Sequence, residues 1–404
     1  MFKYIENLSE KEYNNFLLNI DYIHYKQSPS WATFTKSKAI YVGIENDNKL
    51  VGVAMILKRN TLLGNYFYIP LGPCCNFKDH NLTKIFLENI VCTAKKNNAF
   101  MVKIDPNVKR QSKNINGDIV EGENNEDVTT LLNDLGFKHK GYNYGYDGSE
   151  SNRFTLILDI SKDFESIYKN FSKTRKRRIN KSNSLPITTR IADSSEICKI
   201  LPLEKDLAKD QGFKPHSAKY FMNLMDSFKD NCKFYISEIN LEEAISLLTK
   251  EIDGIKSSKK LSEKANKVEL LNNFNKLYQT FGKVAVTSAA INVNIGNYSW
   301  NLYLYTKNEF FFINASDQTH IFAIKDSKER NGKYYDFCGF SGSTNVDDQY
   351  YGLYFYKSSF NPEFIERIGE FDYIISKKKY KVFKKLQILY MKTKRKINYK
   401  IYKK

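Results

Sequence analysis

Asp105 closes the apolar run FMVKIDP (residues 100–106) and stands directly before Pro106. A carboxylate at the end of a buried strand can orient an acceptor amine or take its proton, and burial would raise its pKa toward that task. The competing use of an Asp-Pro pair is to cap the turn that follows. A second constellation is basic: Lys173, Arg175, Lys176, Arg177, Arg178 and Lys181 crowd onto one helical stretch. Such a run is either a solvated face or a salt-sensitive contact for phosphates. A third lies in residues 376–404, which hold 13 of the 63 Lys and Arg residues and no acid. Tyr380, Val382, Phe383, Leu386, Leu389, Tyr390, Ile397 and Ile401 are interleaved with these bases. That combination suits a basic amphipathic helix on an anionic membrane face, with RNA binding as the rival.

Metal chemistry is not expected. Of Cys74, Cys75, Cys92, Cys198, Cys232 and Cys338 only the first two are close, and adjacent residues do not make a CxxC knuckle. His24, His80, His139, His216 and His320 show no HExxH or paired spacing. The cysteines read as reduced and mostly buried.

The elements that must position these residues follow from periodicity. Strand-like FKYI opens the chain, and Ser9 with Glu12 forms a capping box before a helix. Apolar runs at 39–45, 50–58 and 66–73 make a meander, followed by a helix at 81–97, the strand ending at Asp105, a polar insert at 109–125 and a helix ending at Gly136. The layout then begins again: a strand at 153–161, helices at 163–183, 194–211 and 217–229, and a strand at 233–239. Strands are expected at 284–295, 298–306 and 310–316, then a helix near 318–330. Further segments follow at 334–342, around 353–360 and at 368–375. Between residues 240 and 282, Leu241, Ile245, Leu248, Ile252 and Ile255 form one apolar seam. Val268, Leu271, Phe274, Tyr278 and Phe281 form another, with a polar tip at 256–260. Two antiparallel helices zipped into a projecting arm fit this pattern, about 20 residues or 30 Å each.

With 404 residues the chain has room for two or three domains, and a 14% aromatic share argues against disorder. Without the last 29 residues the net charge falls from +18 to +5, which suits a local docking device better than a basic groove. No stretch approaches the ~18 apolar residues of a spanning helix, and the N-terminal segment does not read as a signal peptide. A soluble, cytosolic chain is the expectation.

Taken in order, several motifs resemble the Fem family of peptidoglycan interpeptide-bridge aminoacyltransferases. They are QSPSWATFTK (27–36), IPLGP (69–73), KIDP (103–106), LGFKHKGYNYGYD (135–147), LILDIS (156–161), FSKTRKRRINKS (171–182), YDFCGFSG (335–342) and GLYFYKSSFNPEFIERIGEFD (352–372). The resemblance implies an α/β (α+β) fold of two GCN5-acetyltransferase-like domains with an inserted antiparallel coiled-coil arm. The expected division is 1–150 for the first domain, 151–239 with 283–363 for the second, 240–282 for the arm and 376–404 for the tail. Residues from about 364 would return to the first domain.

The implied reaction moves an amino acid from aminoacyl-tRNA to an amine of the stem peptide of a cell-wall precursor, lipid II or UDP-MurNAc-pentapeptide. The ester is already activated, so positioning and electrostatics suffice and no cofactor is expected. Lys357, preceded by Tyr356, would stabilise the oxyanion or contact the tRNA 3′ end. Asp105 would contact the acceptor, and Lys36, with Lys38 as its rival, the precursor pyrophosphate. Where the family has an arginine four residues before a tyrosine, this chain has His216 and Tyr220. Lys173, Arg175, Arg177 and Arg178 would meet tRNA or precursor phosphate, and the tail would rest on the inner membrane face. Two other readings share these residues: an acyl-CoA-dependent N-acyltransferase, whose phosphate-cradling Q/R-x-x-G-x-G/A loop is not found, and a non-catalytic tRNA- or membrane-docking protein.

Overall fold

The computed structural model describes residues 1–21, 23–146, 150–256 and 261–402. Its described residues form two mixed sheets. The first runs in the order Phe2–Ile5, Lys38–Asn46, Lys49–Thr61, Gly64–Ile69, Ala99–Ile104, Phe371–Ile374 and Phe137–His139, with Cys74–Cys75 on the edge of the Lys49–Thr61 strand. The second runs Ile187–Ile191, Cys232–Asn240, Val284–Ile295, Tyr298–Thr306, Tyr334–Gly339, Phe154–Asp159, Glu363–Glu366, Gln111–Lys113 and Ile119–Asn124. The polar insert is therefore a hairpin, joined to the second sheet by Lys113 opposite Phe364.

Each sheet contains one parallel pair among antiparallel ones. In the first, strand Gly64–Ile69 is followed by helix His80–Lys96 and the parallel strand Ala99–Ile104. In the second, strand Tyr298–Thr306 is followed by helix Ala315–Glu329 and the parallel strand Tyr334–Gly339. A parallel partner requires such a crossover, and a helix with one apolar stripe covers the sheet as it returns. Helix His80–Lys96 does this with Leu82, Phe86, Leu87, Ile90 and Val91 turned inward, and the Asp79 carboxylate accepts from the Leu82 N–H at its start. The second half thus repeats the first in topology without repeating its residues.

The two sheets share one buried cluster. Met55, Leu57, Tyr68 and Phe100 of the first pack with Phe234, Ile291 and Trp300 of the second and with Phe221 and Phe228 of helix Ala218–Phe228. Helix Lys377–Tyr402 roots on the same cluster, Phe383 lying 5.4 Å from the rings of both Tyr66 and Phe100. No helix among the described residues is long and apolar enough to cross a membrane.

Several local expectations change. The aromatic run expected as a strand at 310–316 is a 3-10 turn, Asn308–Ile313, leading into helix Ala315–Glu329. Phe310 and Ile313 are buried while Phe311 faces out, a spacing of three that matches one 3-10 turn and not alternation. The helix expected at 163–183 is two, Phe164–Lys169 and Lys173–Asn183, because the Ser172 hydroxyl accepts from the Arg175 N–H and starts a new one. The stretch 194–211 is likewise a 3-10 segment and then helix Leu201–Gln211, and the segment around 353–360 is helix Tyr351–Ser358.

In the arm region, helices Leu241–Gly254 and Leu261–Phe281 run antiparallel, as the Glu251–Lys267 and Glu242–Lys283 pairs show. The inward face of the second helix runs through Phe274 and Leu277, and Val268 and Tyr278 are exposed. Residues 257–260 of the expected polar tip lie outside the described residues.

Candidate active site

The repeated topology places two strand ends opposite each other. Asp105 immediately follows Ala99–Ile104, and Cys338 and Gly339 end Tyr334–Gly339, the corresponding crossover strand of the second sheet. Asp105 is buried, and its carboxylate accepts from the Tyr68 hydroxyl at 2.9 Å and the Leu71 N–H at 2.7 Å. Burial and the negative charge of Glu370 push its pKa up to about 6, against the opposing pull of the Lys26 ammonium.

The Leu71 turn is set from the QSPSW segment. The Gln27 amide donates to the Pro70 carbonyl at 2.6 Å, and its oxygen accepts from the Met55 N–H at 2.9 Å. Gly72 lies so close that a Cβ there would come within 2.9 Å of the Gln27 side chain. The two motifs QSPSW and IPLGP are one interlocked piece that aims an N–H at Asp105.

Lys357, on helix Tyr351–Ser358, is buried against the other strand end. Its ammonium donates to the Cys338 carbonyl at 3.0 Å and the Gly339 carbonyl at 2.8 Å. Burial pulls its pKa down to about 8, with Cys338 and Asp336 acting the other way. Cys338 adopts φ 60°, a strained conformation for a side-chain-bearing residue, held by its N–H to the Asp336 carboxylate at 2.7 Å. A Cβ at residue 339 would run into Asn152, so glycine is required there.

Tyr356 points elsewhere. Its hydroxyl meets His320 Nδ1 at 2.8 Å, while His320 Nε2 faces the Asn301 side-chain oxygen at 3.1 Å. Burial holds His320 far below its usual range, so it is neutral, Nε2 carries the proton and Nδ1 accepts from Tyr356. Tyr356 therefore anchors its helix through His320.

Two adjoining cavities connect the strand ends. One is lined by Asp105, Lys140 and Glu370, the other by His24, Lys26, Trp300, Cys338 and Gly339, and both share Leu71, Ser151, Asn152 and Arg367. Lys26 donates to the Glu150 carbonyl at 2.9 Å and to Ser151 at 3.0 Å; Arg367 donates to Asn107 at 2.8 Å and the Asn152 carbonyl at 3.1 Å. Neither cation has a sequence signal of its own: Lys26 stands directly before QSPSWATFTK, and Arg367 lies inside the motif at 352–372. A larger cleft of about 620 Å³ opens on the far side of Leu71, lined by Phe77, Asn107, Lys109, Val128 and Tyr298 among others.

Lys36 is exposed at φ 51° just beyond helix Pro29–Phe34, and Lys38 is exposed at the start of the next strand. Phe34 packs on Tyr220 at 5.2 Å, and His216 stacks on Tyr220 at 4.0 Å. Contact between helices Pro29–Phe34 and Ala218–Phe228 brings these segments together across the domains. His216 Nδ1 meets Glu204 at 2.5 Å, and the Tyr220 hydroxyl meets that of Tyr303 at 2.6 Å. Glu204 is a partner no sequence pattern announced.

The basic helix divides. Lys173 and Arg177 are exposed, and Arg178 is half-buried with its Nε donating to Asn314 at 2.7 Å. Arg175 is 1% exposed and fully occupied: it pairs with Asp317, donates to Ser359 at 2.9 Å and the Tyr356 carbonyl at 2.8 Å, and stacks 4.2 Å from the Tyr356 ring. The expectation that Arg175 meets an external phosphate is thus corrected: it lies between Lys173 and Arg177 in the chain but on the inward face of the helix.

The FemAB family model matches residues 8–387. A lipid II:glycine glycyltransferase of Staphylococcus haemolyticus (strain JCSC1435) is 23% identical over 98% of this chain and 98% of its own length. The aminoacyltransferase FemA of Staphylococcus aureus is 24% identical over 94% of this chain and 97% of its own. A crystal structure of FemX superposes with a TM-score of 0.78 at 21% identity, covering 94% of this chain and 99% of that one.

Proposed function

We propose, from the premise that the chain belongs to the FemAB family, that it is an aminoacyltransferase of peptidoglycan synthesis. It moves an amino acid from aminoacyl-tRNA to an amine of the precursor's stem peptide, on the cytoplasmic side where charged tRNA is found. In this reaction the amine attacks the ester carbonyl, a C–N bond forms and the C–O bond to the ribose breaks. The proton leaving nitrogen ends on the ribose hydroxyl, so atoms balance without a cofactor.

The observation that carries this reading is a seam of two cavities with the buried Asp105 carboxylate at one strand end and, at the other, Cys338 and Gly339, whose carbonyls hold the buried Lys357 ammonium behind them. Asp105, ionised above about pH 6, suits an acceptor amine. Lys357 spends two of its three N–H groups on Cys338 and Gly339, and the third suits a developing oxyanion. Lys26 and Arg367 add positive charge between them. Lys36, or its neighbour Lys38, and His216 with Tyr220 are the groups assigned to the precursor's phosphates. The Glu204 carboxylate meets His216 Nδ1 and fixes the ring at the position where the family has an arginine. Lys173, Arg177 and Arg178 are the cations assigned to tRNA.

The test is transfer of labelled amino acids from a bulk charged tRNA pool to lipid II and to its UDP-linked counterpart, with a parallel RNase-treated reaction. RNase-sensitive labelling of either acceptor is expected. No labelling with any amino acid would overturn the assignment.

A further inference from the structure

Among the described residues, helix Lys377–Tyr402 is bound to the rest of the chain through its beginning. The Tyr380 hydroxyl donates to Asp372 at 2.8 Å and receives the Lys140 ammonium, and Phe383 closes over Tyr66 and Phe100. While Ile388, 47% exposed, faces the opposite side, Val382 within the root and Leu386, Leu389, Tyr390, Ile397 and Ile401 beyond it are each 42–64% exposed. At about 100° per residue they fall within an arc of about 120°, a stripe about 28 Å long. Lys385, Lys392 and Lys396 border one edge, Lys394 the other, and Lys400 lies in line with the stripe.

An uncovered stripe of this length needs a cover, and its charge selects one. A second copy of the helix would set 11 bases against 11 with no acid to pair them, whereas zipped helices rely on complementary flanking charges. RNA would satisfy the lysines but gives aliphatic Leu386, Leu389, Ile397 and Ile401 nothing apolar to bury against. An anionic bilayer surface satisfies both, with acyl chains for the stripe and headgroups for lysines that reach outward from its edges.

We propose that helix Lys377–Tyr402 lays this stripe on an anionic phospholipid surface. Its root also places the site: Lys140, which bonds Tyr380, lines the Asp105 cavity together with Glu370. A docked helix therefore holds the Asp105 end of the seam beside the membrane. The proposal does not depend on the reaction assigned above, and its readout is physical.

The experiment is flotation of the full chain with vesicles of phosphatidylcholine alone or mixed with phosphatidylglycerol. Two variants are compared, one with Leu386→Gln, Leu389→Gln and Ile397→Gln at constant charge, and one with Lys392→Gln, Lys394→Gln and Lys396→Gln. All six side chains are exposed and lie beyond the rooted turns, and an unchanged melting temperature shows the fold is intact. The wild type should float with the anionic vesicles only, and each variant should lose at least tenfold in apparent partitioning. No flotation of the wild type overturns the proposal. So does flotation unchanged by removal of the stripe, or a drop in the stripe variant that is matched in gel shifts with bulk tRNA.

Discussion

Burial shifts the Asp105 carboxyl up and the Lys357 ammonium down, and this fixes the expected pH profile. The Asp105 carboxyl, raised to about 6, must lose its proton to serve an amine, so activity should rise through pH 6. The Lys357 ammonium, lowered to about 8, must keep its proton to serve an oxyanion, so activity should fall above pH 8. A bell between these values is expected in single-turnover rates, and Asp105→Asn should remove the acid limb while lowering the maximum; an unmoved limb would assign it to another group. Lys357→Met should cost about 10²–10³-fold in rate, the scale of losing one preorganised donor. Lys357→Arg should not restore it, because a planar fork fits the two converging carbonyls poorly.

Among the elements, the basic helix makes a sharp internal comparison. Arg175→Ala leaves the buried Asp317 only the more distant Arg178, at 3.6 Å, and should cost about 3–5 kcal/mol in urea unfolding. Lys173→Gln with Arg177→Gln should leave stability within about 0.5 kcal/mol. The same pair should weaken tRNA binding and flatten its salt dependence, by about one unit of slope for each phosphate left without a cation. The C-terminal helix divides in the same way. Removing residues 377–404 uncovers Tyr66 and Phe100 and should destabilise the chain by roughly 1.5–3 kcal/mol for each large side chain left exposed, whereas stopping after Lys385 should not. Equal melting temperatures for the two truncations would show that the root adds nothing to stability.

At the scale of the molecule, the shared core makes the two sheets one unfolding unit. Tyr25 of the first half and Phe228 of the second lie 6.4 Å apart inside the common cluster. Phe228→Ala should therefore cost about 3–5 kcal/mol and lower a single calorimetric transition. Two separated transitions, with only one shifted, would mean that each sheet folds on its own core.

Element types were largely legible in the sequence because periodicity is a local property. Apolar runs marked the strands before residue 75, and Ser9 with Glu12 announced a capping box that forms as read. The Phe310–Ile313 run misled because aromatic residues suit a strand and a tight turn equally, and only the burial of every third residue separates them. Asp105 and Lys357 could be named from their motifs, but their juxtaposition could not. They are 252 positions apart and reach one seam only because two crossover strands end on its walls, Asp105 directly and Lys357 through the Cys338 and Gly339 carbonyls. Arg175 and Arg177 have the same sequence signal, and two residues of helix turn one into the core and the other to water. The sequence by itself determined which side chains carry charge, which faces are apolar and where backbone freedom is needed. The tertiary structure alone decided which of those charges are buried together, because desolvation and partner choice depend on distances that no spacing along the chain encodes.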